Sequence, residues 1–224
     1  MTLAGPSPKA RISSMRPTAW YQKGTGIVLA SGSTSLIARW KDQTANARDL
    51  IQATGANQPA LQTDGSLLFD GSASFLQTAT FTLAQPTMVY LLFKQVTFTD
   101  TDVICDGFTV TSGQFLQDTT TPNISLSSGT TAVTNTTFTL NTYAVGAALF
   151  SAAVSTLTRN KGPSPTSATV GTTAMAGFTL GANGSGSAFA NIQVKEVILF
   201  AGAHQQTQQL QVINYLSGIG GLGL

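Results

Sequence analysis

Retaining cleavage of a glycosidic bond takes two carboxyl groups held about 5 Å apart, one to give a proton and one to attack or stabilise. This chain has a single glutamate, Glu196, in the run Gln193-Val194-Lys195-Glu196-Val197, and no second acid shares its strand face. A catalytic pair of that kind is therefore excluded. The only histidine, His204, stands just before Gln205, where it reads as an exposed helix start. No nucleophile or metal ligand is grouped with it, so neither a triad nor a zinc site is expected. Cys105, the only cysteine, lies in the apolar run Val103-Ile104-Cys105 and reads as a buried strand residue. Asp100 and Asp102 could lend two carboxylates to an ion, but calcium wants about six to eight oxygens. A solvated loop is the expectation there. The loop from Gly181 to Ser187 lacks the lysine of a phosphate-binding loop. The chain is thus expected to be no enzyme, with no catalytic residue, cofactor or metal.

Other polar residues read as structural. Asp70 follows Phe69 and precedes Gly71, a place from which a carboxylate accepts the N–H groups of the following turn. Asp42 and Asp49 bracket a polar turn, with Arg39 or Arg48 in reach as ion-pair partners. Trp20 and Trp40 sit beside core-like residues and are expected inside. For sugar recognition the candidates are amides in or near loops, Gln114, Asn135, Asn160 and Asn183.

The elements that must position these residues come from an unusual composition. Of 224 residues, 54 are Ser or Thr and 16 are Gln, while only 9% are charged, against about 25% in ordinary domains. With 42% hydrophobic residues the chain can still bury a full core. Threonine, stiff at its branched carbon, favours a pleated and half-wet surface. Short strand signals recur between turn pairs such as Asp106-Gly107 and Ser112-Gly113. Met88 to Phe93 is nearly continuous in apolar residues, as befits a strand central in its sheet. In Phe75 to Phe81, Phe75, Gln77, Ala79 and Phe81 alternate to one face. One segment, about residues 205–217, has helical period, with Thr207 as a candidate N-cap and Gly218 as its stop. The predicted fold is all-β: a two-sheet antiparallel sandwich over residues 19–224, closed by a short C-terminal helix laid across an edge or one end.

The front is basic: seven Lys or Arg stand against Asp42 alone up to Arg48. Residues 1–18 hold Pro6, Pro8 and Pro17 and read as an extended arm without a core of its own, removable without unfolding the body. Four basic residues beyond Arg48 are too sparse for a nucleic-acid surface. No apolar run is long enough for a signal peptide or a membrane span.

The order of pieces resembles the concanavalin A-like and laminin G-like jelly-roll family, in the divergent form of bacteriophage structural proteins and secreted bacterial proteins. The residues that carry the resemblance are Ala19-Trp20-Tyr21, Ile37 to Gln43, Leu67-Leu68-Phe69-Asp70-Gly71, Phe178-Thr179-Leu180-Gly181, Ile192 to Phe200 and the closing helix with Tyr215-Leu216. Together with the basic front, the resemblance implies a virion component, decorating a head or belonging to a fibre or tail. Lys9, Arg11 and Arg16 would attach it to capsid or tail proteins, and particle symmetry would make it a homotrimer or dimer. The alternative is a carbohydrate-binding adhesion module, secreted or displayed, with a host-surface glycan as its ligand.

Overall fold

Thr87–Gln95 and Asn191–Ala201 are buried along almost their whole length, because both faces of the sheet they share are covered. Val89, Leu91, Phe93, Val197 and Leu199 enter the core between the two sheets. Met88, Tyr90, Leu92, Ile198 and Phe200 meet a second cluster on the far side. A strand wet on one face would alternate; these do not.

The computed structural model describes residues 5–118, 121–135, 138–163 and 169–224, excepting the side chains of 131–135. Its elements in chain order are α1 (Pro8–Ser14), β1 (Ala19–Tyr21), β2 (Ile27–Leu29), β3 (Ile37–Trp40), β4 (Leu50–Ile51), β5 (Ala60–Leu61), β6 (Leu67–Asp70), β7 (Leu76–Gln77) and β8 (Thr87–Gln95). There follow β9 (Val103–Asp106), β10 (Gln114–Gln117), β11 (Ile124–Ser127), β12 (Thr131–Asn135), β13 (Ala144–Phe150), β14 (Thr156–Arg159), β15 (Thr179–Leu180), β16 (Asn191–Ala201) and α2 (Gln206–Gly220).

Two antiparallel sheets form the sandwich expected from the sequence. One runs β14-β13-β8-β16-β6-β5, with β1 also paired to β16; the other runs β12-β11-β10-β9-β15-β7-β4-β3-β2. Trp20, Phe69, Tyr90, Phe93, Val197, Leu199 and Leu216 are all buried. So is Cys105, on β9.

Helix α2 lies across the outer face of the seven-stranded sheet, where Val212, Ile213 and Leu216 join the second cluster, and not at an edge or end. It begins one residue later and ends three later than its sequence pattern suggests. Gln205, not Thr207, is the N-cap, and its N–H donates to Gln208 Oε1 at 2.9 Å. Gly221, in the left-handed region at φ 67°, closes the helix where Gly218 was expected to.

The N-terminal segment departs further from expectation. Pro8 sits in the first turn of α1, where a missing N–H costs nothing, and Ser7 caps the helix by accepting from Ala10 N at 3.2 Å. Ile12 is fully buried against the second cluster. Thr18 is stitched to the end of β16, its N–H donating to Leu199 O at 2.7 Å and its hydroxyl accepting from Ala201 N at 3.0 Å. Residues 5–18 are therefore not an extended arm, and residues 1–4 lie outside the described residues.

A bulge decides where the lone glutamate goes. The β16–β8 register shifts between Val194 and Glu196, so Lys195 is the extra residue and the alternation resets. Val194 and Val197 both face the inter-sheet core, and Glu196 emerges on the other face, beneath α2. Lys195 pairs with Asp64 Oδ2 at 3.2 Å.

Candidate functional site

The outer face of the nine-stranded sheet is open in part, where Val28 and Ile51 are exposed. Across it runs one register row, Val28, Arg39, Ile51, Gln77, Thr179 and Asp106, while the neighbours Leu50, Leu76, Leu180 and Cys105 enter the core. One half of the row is roofed. Asp106 is fully buried and accepts from Gly107 N at 2.8 Å, Ser112 N at 2.9 Å, Thr111 N at 3.0 Å, Gly184 N at 3.2 Å and Gln114 Nε2 at 2.9 Å. Burial nonetheless pushes its carboxyl above the ordinary range. Gln77 Nε2 donates to Thr179 Oγ1 and to Gly184 O, both at 2.9 Å. These bonds tie the glycine-rich loop down onto the sheet.

The other half stays open as a cleft of about 330 Å³, whose lining includes Arg39, Arg48, Asp49, Ile51 and Phe81. Arg48 places its guanidinium carbon 4.0 Å from the Phe81 ring centre and donates through Nη1 to Thr18 O at 3.3 Å. Arg39 Nη1 lies 3.6 Å from Asp49 Oδ2. Ile51 is 40% exposed.

The turn behind the cleft is built by two carboxylates, as the sequence predicts. Asp42 accepts from Trp20 N, Thr44 N and Arg48 N at 2.9–3.0 Å and from Thr44 Oγ1 at 2.8 Å. Asp49 accepts from Asp42 N at 3.0 Å. The cleft thus offers planar donors, an aromatic ring and an aliphatic side chain, with its carboxylate already engaged.

Glu196 occupies a different place. Its Oε1 accepts from Trp20 Nε1 and Tyr215 OH, both at 2.7 Å, and its Oε2 from Lys23 N at 3.4 Å. Burial raises its carboxyl above the usual range. It borders a groove of about 460 Å³ with Lys9, Lys23 and Tyr215. A tryptophan, a tyrosine and a backbone amide are its partners, so it clamps β1 and α2 to β16 and faces no second acid through these bonds. Among the described residues no three His, Cys, Asp or Glu gather as a metal site, and no helix is long and apolar enough to cross a membrane.

The sequence-predicted sugar contacts take part in the fold's own hydrogen bonds, and Gln114 and the loop that follows Asn183 meet at Asp106. Gln114 is buried and committed to Asp106. Asn160 Oδ1 accepts from Val145 N at 2.9 Å. Asn183 Oδ1 accepts from Ser185 N at 3.1 Å and Ser187 N at 3.0 Å, shaping its own loop. Asn135 ends β12 with its side chain outside the described residues. Each described amide has a structural task.

The predicted attachment residues lie on α1 and just beyond its end. Lys9, Arg11 and Arg16 border three different grooves around α1. Lys9 Nζ lies 5.9 Å from the centre of the Trp20 ring system, and Arg11 Nε donates to Pro6 O at 3.1 Å.

His204 is not an exposed helix start but packs on Phe200, with ring centres 4.4 Å apart, and shares a 2.8 Å hydrogen bond with Tyr90 OH. Asp70 does what its motif predicts, accepting from Ser72, Ala73 and Ser74 N–H groups at 3.0 Å. These bonds outweigh burial and hold its carboxyl well below the ordinary range. Phe81 was missed, although the alternation that puts Gln77, Ala79 and Phe81 on one face pointed to it.

No protein-family model matches the chain, and no curated protein matches it. Solved structures do. An arabinofuranosidase complexed with arabinofuranosyl-α-1,2-xylobiose superposes with a TM-score of 0.64 at 14% identity, over 91% of this chain and 59% of that one. Trypanosoma rangeli sialidase in complex with sialic acid gives 0.60 at 13%, over 90% and 33%. The Botulinum neurotoxin serotype D ligand binding domain in complex with N-acetylneuraminic acid gives 0.64 at 9%, over 93% and 53%. This chain spans less than two thirds of each, and at such identities the likeness shows the fold alone.

These matches correct the reading of the sequence as a bacteriophage jelly roll. These three structures are of two glycosidases and a toxin's ligand-binding domain, not of virion proteins. The virion location, the capsid or tail partners and the oligomer inferred from particle symmetry fall with that resemblance. Its physical support was weak as well, since the supposed arm is partly folded into the body.

Proposed function

We propose that this chain is a non-catalytic carbohydrate-binding module of a secreted or cell-surface protein, holding its sugar in the cleft of Arg39, Arg48, Ile51 and Phe81. The observation that carries the reading is the Arg48 guanidinium carbon 4.0 Å from the Phe81 ring centre, beside the exposed Ile51 and Arg39 on one sheet face. A sugar presents a C–H face and a fringe of hydroxyls, and a cleft that sets Ile51 and Phe81 beside the Arg39 and Arg48 donors suits both. Three of the solved structures that superpose on this sandwich hold sugars or sugar derivatives, which supports the same reading. Asp49 is engaged by Arg39 and the Asp42 amide, and Glu196 is spent on Trp20 and Tyr215. The module therefore retains its ligand without cleaving it.

Screening the chain against an array of plant, bacterial and animal glycans tests this. Retention of one glycan class is expected, with no reducing ends released. Ile51→Glu should abolish retention while leaving the melting temperature near the parent's. Failure to retain any glycan, or retention unaffected by Ile51→Glu, would overturn the proposal.

A further inference from the structure

We infer that the sugar is an acidic one, its carboxylate or sulfate held by Arg39 and Arg48; this rests on the carbohydrate-binding reading of the same cleft. The cleft carries two guanidinium groups against one carboxylate, in a chain where charged side chains are scarce. That carboxylate is partly satisfied elsewhere, since Asp49 Oδ1 accepts the Asp42 amide. Arg39 reaches Asp49 Oδ2 only at 3.6 Å, with its side chain 45% exposed. Such a pair is loose, and an exposed ion pair of this length adds little to stability.

Arg48 is better placed still. Its guanidinium carbon lies 4.0 Å from the Phe81 ring centre, and a single 3.3 Å bond to Thr18 O uses one of its five N–H donors. The donors that remain form the planar fork that matches a carboxylate or sulfate. A neutral hydroxyl would leave much of that donor capacity and the net positive charge unanswered. Ile51, 40% exposed beside them, supplies an apolar surface for the ring of the same sugar. The basic front of the sequence, seven cations against Asp42 up to Arg48, thus has a local use in which Arg39 and Arg48 converge on one cleft.

The test is calorimetric titration of the intact chain with four probes: oligogalacturonate, the same oligomer after carboxyl reduction, a sulfated galactan oligosaccharide, and its desulfated product. At least one acidic probe is expected to bind about tenfold or more tighter than its neutral counterpart, and to weaken as salt is raised. Whether oligogalacturonate or the sulfated galactan is preferred identifies the source of the charge. Arg39→Gln, at an exposed position, should remove most of the preference without changing the melting temperature, and Arg48→Gln should remove it with a small fall in melting temperature from the lost contacts with Phe81 and Thr18 O. Neutral and acidic probes binding alike would overturn this inference, while binding still lost in Ile51→Glu would leave the carbohydrate-binding reading standing. Acid preference that survives both arginine substitutions would also overturn it. No binding of any probe, together with an empty glycan array, would sink both.

Discussion

Trp20 and Glu196, 176 residues apart in sequence, meet in a 2.7 Å hydrogen bond from the indole N–H to the carboxyl Oε1. Strand pairing brings them together, since Trp20 lies opposite Ile198 in the β1–β16 ladder. Tyr215 donates to the same oxygen from α2, so one buried carboxyl joins strand, strand and helix.

Burial is the largest influence on Glu196 and raises its folded pKa above the unfolded value. The folded state then holds its proton where the unfolded state has released it. The resulting stability is present below the ordinary glutamate range and is lost as pH rises through that range toward the folded value. Glu196→Gln keeps an amide oxygen for Trp20 and Tyr215 and cannot titrate. Urea unfolding from pH 3.5 to 7 should show the parent losing stability relative to Glu196→Gln as pH rises; a constant difference would mean that the carboxyl does not titrate with folding.

His204 works in the opposite direction. Burial against Phe200 and Tyr90 lowers its pKa to about 4. The unfolded chain takes up a proton near the ordinary value of about 6.5, before the folded chain does. Stability linked to this group is present above that value and is lost as pH falls toward 4. His204→Asn offers Tyr90 an oxygen in place of Nδ1 without a titration. The parent's melting temperature should fall relative to the variant's between pH 7 and pH 4.5, and parallel curves would contradict the burial argument.

The sandwich was legible because its driving pattern is continuous along the chain. Met88 to Phe93 could only suit a strand covered on both faces, and the Thr-rich segments could only suit wet ones. What was not legible depends on single residues acting out of pattern. The bulge at Lys195 turns Glu196 from one face to the other, and nothing in Gln193 to Val197 announces an extra residue. The candidate cleft was half legible: Arg39, Arg48 and Asp49 were read as a paired turn, but their meeting with Phe81 depends on β3, β4 and the segment after β7 converging on one face. The hydrogen bonds that occupy the loop amides were not legible either: Asn183 is recruited by the backbone of its own loop and Asn160 by the Val145 amide of the neighbouring strand.

Gly181 is a position where no side chain fits. Its φ is 89°, and a Cβ there would stand 2.2 Å from Phe69 Cδ1. Phe69 is fully buried in the inter-sheet core and has nowhere to retreat. Gly181→Ala should cost about 2–4 kcal/mol through backbone strain and overpacking together. Phe69→Leu in the same chain should recover part of that loss by vacating the ring. Equilibrium denaturation of the two single variants and the double variant measures the coupling; strict additivity would show that the clash with Phe69 is not the cause.

The N-terminal segment gives the sharpest contrast between the sequence reading and the fold. Three prolines argue against regular structure only where an N–H is needed. Pro8 stands in the first turn of α1, and Pro17 lies beyond the helix end. Between them Ile12 is fully buried with Trp20, Ile213 and Leu216 in the outer cluster. A buried isoleucine truncated to alanine loses about 2–5 kcal/mol; a seven-residue helix resting on one buried side chain should fall at the lower end, because it can peel away rather than leave a cavity. Ile12→Ala should therefore lower the urea midpoint by an amount equivalent to about 2 kcal/mol. Removing residues 1–18 should cost more, since Thr18 also bonds to Leu199 and Ala201. A midpoint unchanged in both variants would return this segment to the status of an arm outside the core.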